Sequence, residues 1–201
     1  MSENNQSKPV VAFIGLGNMG GGMAPNLVKA GFSVHAFDLS EAALLEAGEK
    51  GCATYTSAAE AVKGADFIVS MLPNGAIVEA VYIDGPEPLL ELLAPHALII
   101  DCSTVAASSS RRLAECAKAK HIAAIDAPVS GGVAAAAAGT LAFMCGGEAT
   151  AFEKAKPVLE AMGKNIFRAG DAGAGQRCDE VDHGALLHPV GPLDSSAWHL
   201  A

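Results

Sequence analysis

The chain has 201 residues, enough for one large or two small domains. Apolar residues make up 51% and charged residues 17%, which supports a sizeable core and excludes a chain disordered throughout. Thirteen Lys and Arg against twenty-two Asp and Glu give a formal net charge of −9, so no basic field exists to draw nucleic acid or an anionic membrane.

The first eight residues, MSENNQSK, are polar, lack the apolar stretch of a secretion signal and are expected to be disordered. Val10 to Ile14 reads as a buried strand, and Gly15 opens a turn. Asn18 to Lys29 reads as a helix with an irregular start and Pro25 inside it, closed by Gly31. A strand over Ser33 to Phe37 ends at Asp38, and Ser40 caps a helix running to about Lys50. Ala53 to Thr56 reads as a short strand, and Ser57 with Glu60 has capping-box spacing before a short helix. A strand over Phe67 to Leu72 is stopped by Pro73, and one or two helical pieces broken at Asp84-Gly85-Pro86 fill the stretch to Pro95. A strand over Ala97 to Asp101 leads through Ser103-Thr104 into a helix that ends near Lys120. Ile122 to Asp126 is the next strand, Pro128 to Gly132 a loop, and Val133 to Ala138 an alanine-rich helical turn closed by Gly139. A strand over Thr140 to Cys145, a helix over Thr150 to Met162, a strand over Asn165 to Arg168 and a loop over Gly170 to Gln176 complete the pattern.

Strands alternating with crossover helices predict an α/β fold, a doubly wound and mostly parallel sheet with extra C-terminal strands. The strand runs are continuously apolar, as strands covered by helices on both faces must be. Residues 9–176 are expected to form this domain. The remainder, 177–201, is expected to be an irregular tail: it holds three of the six His, the only Trp and no Lys. No apolar run approaches the roughly 18 residues of a membrane span. Five widely spaced Cys without a CxxC pair fit a reduced, cytoplasmic protein, and the tail His fit no compact metal-ligand spacing.

Gly15-Leu16-Gly17-Asn18-Met19-Gly20 is a G-x-G-x-x-G sequence set between a strand and a helix. In that context the first glycine permits the tight turn, the second lets a pyrophosphate approach the backbone, and the third allows close helix–strand packing. The free N–H groups and the dipole of the helix start then face the phosphates. Asp38 stands eighteen residues after Gly20 at the end of the second strand, where a carboxylate accepts hydrogen bonds from an adenosine ribose and repels a 2′-phosphate. NAD rather than NADP is therefore the expected cofactor. A purely local turn role for Asp38 is the alternative. Further polar or glycine-rich loops follow other strands: Leu72-Pro73, Asp101-Cys102-Ser103-Thr104, and Asp126-Ala127-Pro128-Val129-Ser130-Gly131-Gly132. The last offers a hydroxyl and backbone N–H groups to an anion such as a carboxylate. Ser103 and Thr104 are also candidate helix caps.

Taken in this order, VAFIGLGNMG, Asp38, SMLP, DCST and DAPVSGG resemble the β-hydroxyacid dehydrogenases over about Val10 to Gln176. The resemblance implies an NAD-binding Rossmann domain, followed in the family by an all-helical domain that makes the dimer. It implies hydride transfer from a 3-hydroxy acid to NAD, with 3-hydroxyisobutyrate giving methylmalonate semialdehyde as the first expectation. By the same resemblance Gly15 to Gly20 bind pyrophosphate, Leu72, Pro73 and Thr104 line the nicotinamide side, and Ser130, Gly131 and Gly132 hold the substrate carboxylate.

The resemblance stops after Gly173-Ala174-Gly175-Gln176. There the family has a long helix carrying a catalytic lysine and then an asparagine, whereas this chain continues Arg177-Cys178-Asp179-Glu180. Its last lysine is Lys164 and its last asparagine Asn165, so no catalytic residue is assigned. The family's helical domain is expected to be missing, and the change of composition after Gln176 is what a shift of reading frame would produce. The chain is expected to be an impaired catalyst that self-associates through apolar surface those helices would cover. A tartronate semialdehyde reductase is one alternative, disfavoured by Asp38. A non-catalytic NAD-binding fragment is the other.

Overall fold

The structure, a computed structural model, describes residues 9–179. The proposed disorder of residues 1–8, and the tail from residue 180 with its three His, lie outside the described residues. Strands β1 (Val10–Ile14), β2 (Ser33–Phe37), β3 (Ala53–Thr54), β4 (Phe67–Ser70), β5 (Leu98–Asp101) and β6 (Ala123–Asp126) form a parallel sheet in the order β3-β2-β1-β4-β5-β6. Three further strands extend it: β7 (Val129–Ser130), β8 (Leu141–Gly146) and β9 (Gly163–Gly170). β8 runs antiparallel to β6 and β7, and β9 pairs parallel with β8. This is the doubly wound, mostly parallel sheet with C-terminal additions that the sequence predicts.

The helices are α1 (Gly20–Lys29), α2 (Glu41–Glu49), α3 (Ala58–Ala61), α4 (Gly75–Glu79), α5 (Ala107–Ala119), α6 (Gly132–Ala138) and α7 (Ala149–Met162). They cover both faces of the sheet. Val11 and Phe13 of β1, with Val69 and Ile100, pack in one core with Met23 and Leu27 of α1 and Phe152 and Leu159 of α7. The alternate residues Ala12, Ile14, Ile68 and Ile99 join a second core with Val78, Tyr82 and Leu113. Successive strand residues point to opposite faces, so two covered faces require an unbroken apolar run.

Element ends carry the signals read in the sequence. Ser40 Oγ accepts from the Ala43 amide at 3.3 Å and Ser57 Oγ from the Glu60 amide at 3.1 Å. Glu60 accepts from Thr56 Oγ1 at 2.7 Å. Gly139 closes α6 in the left-handed region at φ 66°. Between Pro73 and Pro95 the two expected helical pieces are α4 continued by a π-helical turn over Ala80–Asp84, and a 3-10 turn over Leu89–Glu91.

Four expectations need correction. The Pro128 to Gly132 loop contains β7, because Val129 and Ser130 pair with Phe143 and Ala142 across a tertiary contact invisible in local composition. Helix α5 starts at Ala107 with Ala106 as an uncapped boundary, so Ser103 and Thr104 are not its caps. Helix α1 starts at Gly20 rather than Asn18. The last loop gives way to helical backbone over 174–179, so its final residues and the first three of the expected irregular tail are helical. All five Cys are free thiols; Cys52, Cys102 and Cys145 are buried.

Candidate functional site

The carboxyl ends of β1, β2 and β4 open onto a cleft of about 430 Å³. Its floor is the glycine-rich turn. Gly15 adopts φ 96°, and a Cβ there would collide with the carbonyl oxygen of Met71. A Cβ at Gly20 would collide with the Gly15 carbonyl, so this glycine lets α1 close onto the strand end. Gly17 is different. It is exposed, and a Cβ built on it meets nothing within 4 Å. That face of the turn is open to a ligand, and the leading amides of a helix have no partner inside the helix.

Asp38 is tied to this turn. Its Oδ2 accepts from the Leu16 amide at 2.6 Å and its Oδ1 from the Ser40 amide at 2.8 Å. The local role weighed as an alternative is therefore real. It does not displace the other role, since each carboxylate oxygen has a second lone pair and Asp38 lines the cleft beside Gly17 and Asn18. Leu39, 93% exposed, and Ile77 add apolar surface to the same cleft. Met71, Leu72 and Pro73 form its far wall.

Behind that wall lies a buried polar network. Asp101, at the end of β5, is 1% exposed. Its Oδ1 accepts from Ser70 Oγ at 2.8 Å and from Ser103 Oγ at 2.6 Å. Tyr82 Oη donates to Ser70 Oγ at 3.0 Å, and Ser103 Oγ accepts from the Leu72 amide at 2.9 Å. Burial pushes the Asp101 carboxyl up to about 6, while the Ser103 and Ser70 hydroxyls pull the other way. Ser103 is thus occupied in holding Leu72 in place, and its neighbour Thr104 is exposed.

Asp126 ends β6, in register with Asp101. Its two oxygens accept from the amides of Gly173 at 2.7 Å and Gln176 at 3.2 Å. Burial raises its carboxyl above the ordinary value, and these amides oppose the rise. Gln176, 1% exposed, donates from Nε2 to the Ser103 carbonyl at 2.8 Å and accepts from the Val105 amide at 3.1 Å. One side chain thus brackets Thr104. Sequence reasoning assigned Gln176 no role; the only signal was its place after the Gly173-Ala174-Gly175 run. Ser130 ends β7, Gly131 precedes α6, and Gly132 opens it, with free space where a Cβ would stand. Ser130, Gly131, Gly132 and Thr104 do not line the cleft that holds Gly17 and Asp38. Lys164 and Asn165 lie exposed on β9.

Residues 10–170 match the family model described as the NAD binding domain of 6-phosphogluconate dehydrogenase. The chain belongs to that family. NAD is the cofactor in the family's description, in agreement with the reading of the turn and Asp38. The chain is 53% identical over 166 residues to the 3-hydroxyisobutyrate dehydrogenase of Pseudomonas aeruginosa, covering 83% of this chain and 55% of that protein. It is 51% identical over the same length to that organism's NAD-dependent L-serine dehydrogenase, again 83% and 55% of the two chains. The structure of Mycobacterium tuberculosis 3-hydroxyisobutyrate dehydrogenase with L-serine superposes with a TM-score of 0.85 at 42% identity, over 89% of this chain and 60% of that one. The chain spans about half the length of the curated relatives it matches. Among the described residues no helix is long and apolar enough to cross a membrane.

Proposed function

We propose that this domain binds NAD and serves the oxidation of a 3-hydroxy acid, with 3-hydroxyisobutyrate as first substrate and methylmalonate semialdehyde as product. The observation that carries the reading is the exposed Gly17, open on its Cβ face, beside the Asp38 carboxylate in one cleft. The turn Gly15, Leu16, Gly17, Asn18, Met19 and Gly20 would hold the pyrophosphate, with the Gly15 amide spent on the Phe37 carbonyl and the Leu16 amide on Asp38 so that the amides from Gly17 onward would face it, and Asp38 would hold the adenosine ribose. Leu72, Pro73 and Thr104 would flank the nicotinamide. Bound there, NAD supplies a hydride acceptor.

Ser130, Gly131 and Gly132 would take the substrate carboxylate, through a hydroxyl and the amides that open α6. The names of the relatives support a shared substrate chemistry. 3-Hydroxyisobutyrate and L-serine both carry a primary alcohol on the carbon next but one to the carboxylate carbon.

A group must also take the hydroxyl proton as hydride leaves. No lysine follows Gln176 in this sequence. Arg177, the nearest cation after Gln176, keeps its proton and could only steady developing negative charge. We therefore read the 201-residue chain as a dinucleotide binder whose turnover is lower by about 10² to 10⁴ than that of a lysine-bearing relative. A binding-only role is the second reading, favoured by the same missing lysine.

Calorimetry with NADH and NADPH, paired with assays of NAD-dependent oxidation of 3-hydroxyisobutyrate and L-serine and of NADH- or NADPH-dependent reduction of tartronate semialdehyde, separates these readings. NADH binding with slow 3-hydroxy acid oxidation supports the first, and NADH binding with no turnover the second. Absence of binding to either coenzyme removes both.

A further inference from the structure

Between the ends of β5 and β6 and the first turns of α5 lies a small cavity of about 10 Å³, walled by Asp101, Ser110 and Asp126 with Leu113, Ala124 and Ile125. Two polar atoms of its wall residues, Asp101 Oδ2 and Ser110 Oγ, are fully buried and have no hydrogen-bond partner within the protein. Their residues are 1% and 5% exposed. The two atoms do not reach each other, and buried polar groups are almost always satisfied by protein or by ordered water. A helical serine usually turns to solvent or to the carbonyl one turn back, and Ser110 does neither.

We propose that this cavity binds one water molecule, which donates a hydrogen bond to Asp101 Oδ2 and accepts one from Ser110 Oγ. The volume sits at the lower end of the roughly 10–15 Å³ that one water needs on this measure, and the site offers the polar partners a buried water requires. A cation is the weaker occupant. Both Asp126 oxygens already accept from the Gly173 and Gln176 amides, which leaves Asp101 Oδ2 as the one uncommitted carboxylate oxygen, and hard cations gather six or more oxygens. Among the described residues no group of three or more His, Cys, Asp or Glu is arranged to hold a metal ion.

The water would tie α5 to the end of β5. Asp101 Oδ1 already holds Ser103, and Ser103 holds the Leu72 amide, so the water completes the support of one wall of the cleft from behind.

An atomic-resolution crystal structure of the 201-residue chain should show one fully occupied water within hydrogen-bonding distance of both atoms. In Ser110→Val, whose added methyl groups take up the cavity, that peak should vanish. In solution, oxygen-17 relaxation dispersion should count one long-lived water fewer in S110V than in the parent chain. Ser110→Ala covers the case in which valine disrupts α5: the water should stay with a residence time shortened about fivefold, the worth of one neutral hydrogen bond. A dry cavity, a direct Asp101–Ser110 bond, a peak with the short contacts of a cation, or equal water counts in parent and S110V would overturn the proposal.

Discussion

Around β1 and β2 polar groups line an open cleft, whereas around β5 and β6 they are buried and bonded to one another. The first region presents an exposed Gly17, open on its Cβ face, and a half-buried carboxylate at Asp38. The second region closes Asp101, Ser103, Asp126 and Gln176 into a buried lattice, with Thr104 standing out of it. One region opens to solvent in a cleft, and the other keeps strand ends and loops in register beneath it. The difference teaches that acidic residues at successive strand ends need not share a role. Asp38 fastens backbone and also lines the open cleft, while Asp101 and Asp126 fasten their neighbours from within the protein.

The comparison breaks most severely at Gly20. Alanine there drives a Cβ into the Gly15 carbonyl, so Gly20→Ala should destabilise the fold by about 3 kcal/mol, as overpacking against unyielding backbone does, and should lose NADH binding with it. Urea unfolding and calorimetry measure the two effects.

The buried region should announce itself through pH. Asp101 titrates near 6 in the folded chain, above its ordinary 3.8, so the folded state holds the proton more tightly than the unfolded state. That contribution to stability is full below about 3.8 and is lost as pH rises through about 6. Asp101→Asn keeps an acceptor for Ser70 and Ser103 and removes the titration. Relative to the parent chain it should gain on the order of 2–3 kcal/mol between pH 4 and 7. Parallel stability curves for the two proteins would show that Asp101 does not titrate as described.

Asp126→Ala removes the acceptor for two amides and should cost about 2 kcal/mol, the loss being loosened backbone around Gly173 and Gln176. Hydrogen exchange at those two amides reads it directly, while NADH affinity should fall only modestly, through the loosened support of Thr104 by Gln176. Asp38→Asn should do the reverse. Stability should change little, because one oxygen still accepts from Leu16 or Ser40, and the preference for NADH over NADPH should fall about tenfold, ~1.4 kcal/mol.

Much of the outward-facing region was legible in the sequence. Its chemistry is local: three glycines, a strand before them and a helix after them occupy consecutive positions, and Asp38 follows at the spacing a βαβ unit imposes. The buried lattice was not legible. Ser103 looks like a helix cap in one dimension, yet its hydroxyl is claimed by Asp101 and Leu72 once β4 and β5 lie side by side. Gln176 reaches back more than seventy residues to bracket Thr104, and no local pattern encodes such a contact. β7 escaped notice for the same reason: two residues become a strand only because β8 lies beside them. Ser130, Gly131 and Gly132, read in the sequence as part of a loop, span the end of β7 and the start of α6, and the cleft that joins Gly17 to Asp38 does not include them.

The central claim is that the open face of Gly17 is where a dinucleotide rests. Titrating NADH into the parent chain and into Gly17→Val tests it most directly, because a Cβ at this position meets nothing within 4 Å and the exposed substitution should leave the fold intact to within about 0.5 kcal/mol. Saturable binding to the parent chain, weakened at least about tenfold in G17V at unchanged unfolding midpoint, is the predicted result. Equal affinity in the two proteins, or no binding to the folded parent chain, would contradict the account.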